Sequence, residues 1–274
     1  MTWPIGVSTG CCTERPIADA LQSAARAGLA VVELGTPPRH FDPLNAAQVD
    51  EVQRCLERLE IHARSLHAPF GGALDLSSAD RHQRLEAVAT IRRIAAVLHR
   101  LGGEVLVVHP SDVARHTTDP ALRLESAADA LGRLGQACGE LGMRLAVETP
   151  LPHLVGGHPD EFESLLARLD NDVGVCLDTG HVHLGHHLTR MIVVAGHRLI
   201  HVHVHDNRGT HDDHLAPGEG SVNWEAVFAG LAGVRYEGPL MLELHCPGVA
   251  LCGHYQHAAG RLRDLLTTHA RSPL

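Results

Sequence analysis

Six consecutive β-branched runs in this chain end on residues that can hold a metal ion or move a proton. The run 63–67 ends in His67-Ala68-Pro69-Phe70, and 105–109 ends in His109-Pro110. The run 144–148 ends in Glu148-Thr149-Pro150, and 173–177 leads into Asp178-Thr179-Gly180-His181. The run 200–205 carries His201, His203 and His205 and is followed by Asp206. The run 240–244 carries Glu243, with His245 beyond it. After the seventh strand, Asp212-Asp213-His214 adds two carboxylates and an imidazole on a loop. Imidazoles and carboxylates without thiolates suit Mn, Co, Fe, Zn or Mg. Carboxylates gathered at one place repel one another, and a divalent cation removes that cost. A single strand-end histidine or acid is more often a hydrogen-bonded rim or core residue than a ligand. Six at corresponding positions point to a metal centre.

The elements that must position these residues follow from a pattern repeating about every 30 residues: a short apolar run, a polar turn, then a helical stretch. Eight strands are expected, at 5–8, 31–34, 63–67, 105–109, 144–148, 173–177, 200–205 and 240–244. Between them, Leu85, Val88, Ile91, Ala95 and Leu98 keep helical spacing, as do Leu124, Ala128, Leu131, Leu134, Cys138 and Leu141. Shorter helices are expected around Asp160 and Ser164 and over 224–231, and a last one over 261–268. Strands alternating with helices predict a parallel sheet, and eight units predict an α/β fold of the closed (β/α)8 (TIM) barrel type. An open dinucleotide-binding sheet has little support, because no G-x-G-x-x-G follows the first strand. No linker or composition break divides the chain, so one domain over 1–274 is expected. All strand C-termini then open on one face, where barrel active sites sit.

Composition excludes several classes. The chain has 274 residues and a formal charge of −9, and all 23 of its Lys and Arg residues are arginine. Without lysine there is no Schiff-base aldolase, pyridoxal-phosphate enzyme or P-loop NTPase. Aromatic content of 3% argues against a base-stacking platform. No apolar run approaches the roughly 20 residues of a membrane span. The seven cysteines form no C-x-x-C, Cys11 and Cys12 are adjacent, and 1–10 show no apolar leader core. A reducing, cytoplasmic setting is expected, with the cysteines as small core residues such as Cys176. His201, His203 and His205 share a strand face, and only one of them need be a ligand. His183, His186 and His187 are read as solvated loop residues. His40, His62, His82, His99, His116 and His197 are read as surface. Glu33, ending the second strand, and Arg208, on a loop, are candidate substrate contacts; Glu33 has ligand orientation or an arginine pair as alternatives.

Taken together, the motifs resemble the xylose isomerase-like TIM barrel superfamily, which holds sugar and sugar-phosphate isomerases and epimerases together with endonuclease IV. The resemblance spans nearly the whole chain. It rests on His67-Ala-Pro-Phe, Val108-His109-Pro110, Val147-Glu148-Thr149, Cys176-Leu-Asp178-Thr-Gly-His181, His203-Val-His-Asp206-Asn207, Asp212-Asp-His214-Leu-Ala-Pro-Gly-Glu-Gly220 and Leu242-Glu243. It implies one divalent metal held by Glu148, Asp178, His203 and Glu243, with the two glutamates as the acid/base pair. The endonuclease branch implies three zincs, which would add His67, His109, His181, Asp212 and His214. One to three ions of Mn, Co, Zn, Fe or Mg per chain are therefore expected. Three departures favour the isomerase side. Gly180 stands where the endonuclease pattern has Cys, Phe70 where it has Tyr, and Asp206-Asn207-Arg208 where it has Asp-Ser-Lys. The hydride-shift lysine of xylose isomerase itself is absent.

The resemblance implies a metal-dependent sugar or sugar-phosphate isomerase, epimerase or related lyase. In it, one of Glu148 and Glu243 removes the proton next to a carbonyl and the other returns it. The cation stabilises the enediolate oxygen. The expected partner is a small carbohydrate, with no membrane; a homo-oligomer is compatible with the sequence. The alternative is a multi-zinc phosphodiesterase acting at abasic DNA, against which the charge of −9 and the lack of basic-aromatic runs weigh.

Overall fold

Short β-branched and aliphatic runs such as Val105-Leu-Val-Val108 are buried on both faces, as strands covered by helices must be. Eight of them form the strands: β1 (Ile5–Ser8), β2 (Val31–Leu34), β3 (His62–His67), β4 (Val105–Val108), β5 (Arg144–Glu148), β6 (Gly174–Asp178), β7 (Leu199–Val204) and β8 (Leu240–Leu242). Each pairs in parallel with the next, and β1 pairs with β8, so the sheet closes into the expected (β/α)8 barrel. In this computed structural model, residues 3–10, 14–245 and 250–271 are described; Cys11 and Cys12 lie outside them.

The outer layer is α1 (Ile17–Arg26), α2 (Ala46–Leu59), α3 (Arg81–Arg100), α4 (Pro120–Glu140), α5 (Pro159–Leu166), α6 (Thr179–Leu184), α7 (Leu188–Ala195), α8 (Trp224–Gly233) and α9 (Leu251–Arg271). Their apolar stripes bury against the sheet; on α4, Leu124, Ala127, Leu131, Leu134 and Cys138 are all buried. Asn45, Asp80, Asp119 and Asn223 cap helix N-termini with side-chain oxygens, so the helices start where the polar turns end.

The differences from the sequence reading are local. His109, His205 and Glu243 lie one residue past their strands, at the barrel mouth. His183 is in α6, not a loop: the carboxylate of Asp178 accepts from the His181 backbone N–H at 2.7 Å and starts a helix there. Helices α1, α2 and α7 are also not named by the sequence reading. His40 is buried, because its ring nitrogen Nδ1 sits 2.6 Å from the Arg15 carbonyl and draws it inward. Cys55, Cys138 and Cys176 are buried free thiols, as expected, while Cys252 is half-buried.

Candidate active site

The floor of the barrel is polar. Glu33 of β2, Ser65 of β3 and His201 and His203 of β7 are fully buried across the interior from one another. Ser65 Oγ donates to Glu33 Oε2 at 2.9 Å, and His201 Nε2 lies 3.0 Å from the same oxygen. His203 Nε2 sits 3.0 Å from Glu33 Oε1. That close approach lacks hydrogen-bond alignment, and the opposite ring nitrogen, Nδ1, faces the carboxylates at the mouth.

Nδ1 of His203, like its Nε2, is buried without a hydrogen-bond partner. Three carboxylates face it: Glu243 Oε2 at 3.3 Å, Glu148 Oε1 at 3.6 Å and Asp178 Oδ2 at 3.8 Å. One donor atom from each of the four residues lies within 4.8 Å of the others. Ligand atoms about 2.1 Å from a tetrahedral ion lie about 3.4 Å apart, so the spacing fits a divalent cation. The donor set, one imidazole and three carboxylates, suits the harder transition metals as well as zinc. A carboxylate behind a histidine is the usual outer support where such a histidine binds a metal.

The other expected residues surround this group. His67 and His109 bring Nε2 to 2.9 Å and 3.2 Å from Glu148 Oε2. His181 Nε2 and His214 Nε2 lie 3.4 Å and 3.1 Å from Asp212 Oδ2. Nδ1 of His67, His181 and His214 sits 2.9–3.0 Å from the carbonyls of Ala68, Thr149 and Glu243. Donation of Nδ1–H to a carbonyl leaves Nε2 as the nitrogen that could take a metal. All nine candidate ligands therefore meet at the mouth.

These groups balance one another's charge. Burial opposes ionisation of Glu148, yet His109 and His203 outweigh it and hold its carboxyl well below the ordinary range. Burial likewise opposes Asp178, but His181 and His205 bring it down to about 2. Burial would lower His67, but its hydrogen bond to Glu148 raises it to about 9; Asp212 does the same for His214, also to about 9.

The two substrate candidates fall elsewhere. Glu33 is sealed beneath His203, and Arg208 is exposed, 3.9 Å from Asp213. Neither lines the cavity of about 430 Å³ above the cluster. The lining of that cavity carries His67, His109, Glu148, His181, Asp212, His214 and Glu243. Pro37, Pro38, Phe70, Leu151 and Leu154 add apolar surface to the same lining. Phe70 is exposed and stacks on His109 at 4.0 Å.

Asp206 has a role the sequence reading did not assign. Its buried carboxylate accepts from the backbone N–H groups of Asn207, Gly218 and Val222 and from Trp224 Nε1, at 2.9–3.0 Å. It thereby shapes the loop that carries Asp212 and His214. A Cβ at Gly220 would lie 2.3 Å from Asp206 Oδ1, so this loop requires glycine there. The Pro217-Gly218-Glu219-Gly220 stretch was the available signal.

Residues 21–267 match the family described as xylose isomerase-like TIM barrel. An uncharacterised protein of Sinorhizobium fredii is 30% identical over 81% of this chain and 80% of its own. D-psicose 3-epimerase of Ruminiclostridium cellulolyticum is 25% identical over 81% of this chain and 76% of its own. A probable endonuclease 4 of Methanosphaera stadtmanae is 25% identical over 68% and 71%. Among solved structures, the IOLI protein with a bound zinc atom superposes with a TM-score of 0.84 at 16% identity, covering 98% of this chain and 100% of that one. That likeness shows the fold.

Proposed function

Because the chain belongs to the xylose isomerase-like TIM barrel family, we propose that it is a metal-dependent epimerase or isomerase of a small unphosphorylated sugar. The observation that carries this reading is the pair Glu148 and Glu243. They come from opposite ends of the β5–β8 arc, both line the cavity, and both face Nδ1 of His203. A sugar epimerase among the relatives supports it.

Glu148, Asp178, His203 and Glu243 would hold the ion. When bound, the cation supplies Lewis acidity toward a carbonyl oxygen and its neighbouring hydroxyl. Glu148 is held ionised by its histidines and takes the proton from the carbon beside the carbonyl. Glu243 returns a proton from the opposite side, which inverts that carbon; return to the neighbouring carbon instead gives isomerisation. His67 and His109 hold Glu148 Oε2, so Oε1 stays directed into the site. Phe70 and Leu151 would give the C–H face of the sugar an apolar surface.

The cavity favours a substrate without phosphate. Among the described residues, no arginine lines it, and the chain has no lysine. The undescribed residues 11–13 and 246–249 contain no basic side chain. Barrels often bind phosphate on loops after strands seven and eight. Here three N–H groups of the loop after β7, those of Asn207, Gly218 and Val222, are taken by Asp206.

The test is a panel of free ketoses and their phosphates, incubated with metal-loaded protein and followed by NMR. Epimer formation from a free ketose, and none from its phosphate, is expected. The second reading, hydrolysis at abasic DNA, draws on the meeting of all nine endonuclease-type ligands. A nicking assay with zinc-loaded protein tests it, and cleavage with an unreactive sugar panel would favour it.

A further inference from the structure

We propose that His205 is a positioning residue: it holds the carboxylate of Asp178 so that one oxygen, Oδ2, is offered to an ion bound with Glu148, His203 and Glu243. This rests on the metal site of the reading above and not on the sugar reaction. Asp178 and His203 are register partners across β6 and β7. Side chains alternate along a strand, so His205, two residues beyond His203, continues the same face. Its imidazole therefore comes to lie beside Asp178.

Two donors converge on that carboxylate. His205 Nε2 lies 2.9 Å from Asp178 Oδ1 and 3.1 Å from Oδ2. An ionised carboxylate only accepts, so Nε2 is the protonated nitrogen of the ring. The His181 backbone N–H reaches Oδ1 at 2.7 Å. Oδ1 thus has a donor for each of its lone pairs. Oδ2 has only a share of one, and it is the oxygen facing His203 Nδ1, at 3.8 Å. Asp212 Oδ1 is 3.8 Å from His205 Nε2, too far to compete for the proton.

The surrounding chain keeps the pair together. Thr179 Oγ1 donates to the His205 carbonyl at 2.9 Å and accepts from the His205 N–H at 3.1 Å. From the β5 side, Thr149 Oγ1 accepts the Asp178 N–H at 2.9 Å. A Cβ on Gly180 would lie 1.9 Å from Cε1 of His205, so the ring occupies the place of a side chain at 180. His205 is fully buried, with the His214 ring stacked on it at 3.9 Å and 9°. Two rings stacked flat cannot aim their nitrogens at one ion, so His205 serves the carboxylate and not a metal. Its Nδ1 is buried without a hydrogen-bond partner, which leaves Asp178 as the polar contact of the ring. Ligating carboxylates are commonly held by such hydrogen bonds from behind.

The test reads metal, not turnover. Metal-free full-length protein is titrated with Cd²⁺ against a chelating dye, and cadmium–nitrogen NMR coupling to the His203 imidazole identifies the ion. His205→Met keeps the length of the side chain but removes the donor, and should bind that ion roughly tenfold to hundredfold more weakly. His205→Gln restores an N–H and should recover most of the loss. Gly180→Ala crowds the ring off Asp178 and should weaken the ion in the same way. The double variant Gly180→Ala/His205→Met should be no weaker than the worse single one, because both act through one contact. Wild-type affinity in His205→Met, or equal weakness in His205→Met and His205→Gln, would overturn the proposal. So would cadmium coupling at His205 itself, which decides the matter should the Met variant fail to fold. Wild-type protein with no ion coupled to His203 would instead overturn the metal site, and this proposal with it.

Discussion

Glu148 is held from two directions at once: His67 and His109 grip one oxygen, while the other faces His203. A carboxylate fixed in this way is suited to proton transfer in a single geometry. Removing it as an acid/base should cost roughly 10²–10⁴-fold in turnover. Glu148→Gln and Glu243→Gln should each show that loss with circular dichroism unchanged; wild-type turnover in either variant would refute the two-glutamate scheme. Glu33 acts one layer below. Glu33→Gln should weaken metal binding about 10–100-fold by loosening His203, measurable by competition with a chelating dye. The charge balance also has a pH signature. His67 and His214 sit near 9 in the folded chain against an ordinary 6.5. Their contribution to stability is complete below pH 6.5 and is lost as pH rises through 9. Asp178 works in the other direction: its contribution is present above about 3.8 and lost as pH falls through about 2. Metal-free protein should therefore lower its Tm between pH 6.5 and 9, and a flat or rising Tm there would contradict these assignments. Residue types and their places at strand ends were legible from the sequence. The buried role of Glu33 was not, because a strand-end acid reads the same whether it faces the cavity or lies beneath a histidine.

At the scale of elements, alternation of strand and helix was plain where the repeats are long, as in α3 and α4. It failed around α6, because Asp178 serves both as the last residue of β6 and as the cap of the next helix. A run such as His181-Val-His-Leu-Gly has no apolar period to betray a helix. The loop after β7 was legible only as a motif; its physical basis is the carboxylate of Asp206, which satisfies four donors. Asp206→Ala would leave those buried N–H groups unpaired at about 1–3 kcal/mol each. We expect a destabilisation of several kcal/mol in urea unfolding. A variant with an unchanged unfolding midpoint would show that the loop is held otherwise.

For the whole molecule, closing eight parallel strands is what brings His67 and Glu243, 176 positions apart in sequence, into one mouth. Among the described residues, no helix is long and apolar enough to cross a membrane. The distribution of charge fits a small neutral ligand: acids and imidazoles gather at the mouth, while Arg39, Arg115 and Arg208 pair with acids outside the cavity. The most direct test of the central claim is NMR of free ketoses incubated in D2O with metal-loaded protein. The account predicts an epimer or isomer that carries solvent deuterium at the carbon beside the carbonyl, formed by the wild type and absent with Glu148→Gln and Glu243→Gln. Conversion without deuterium uptake, or uptake that persists in both variants, would contradict it.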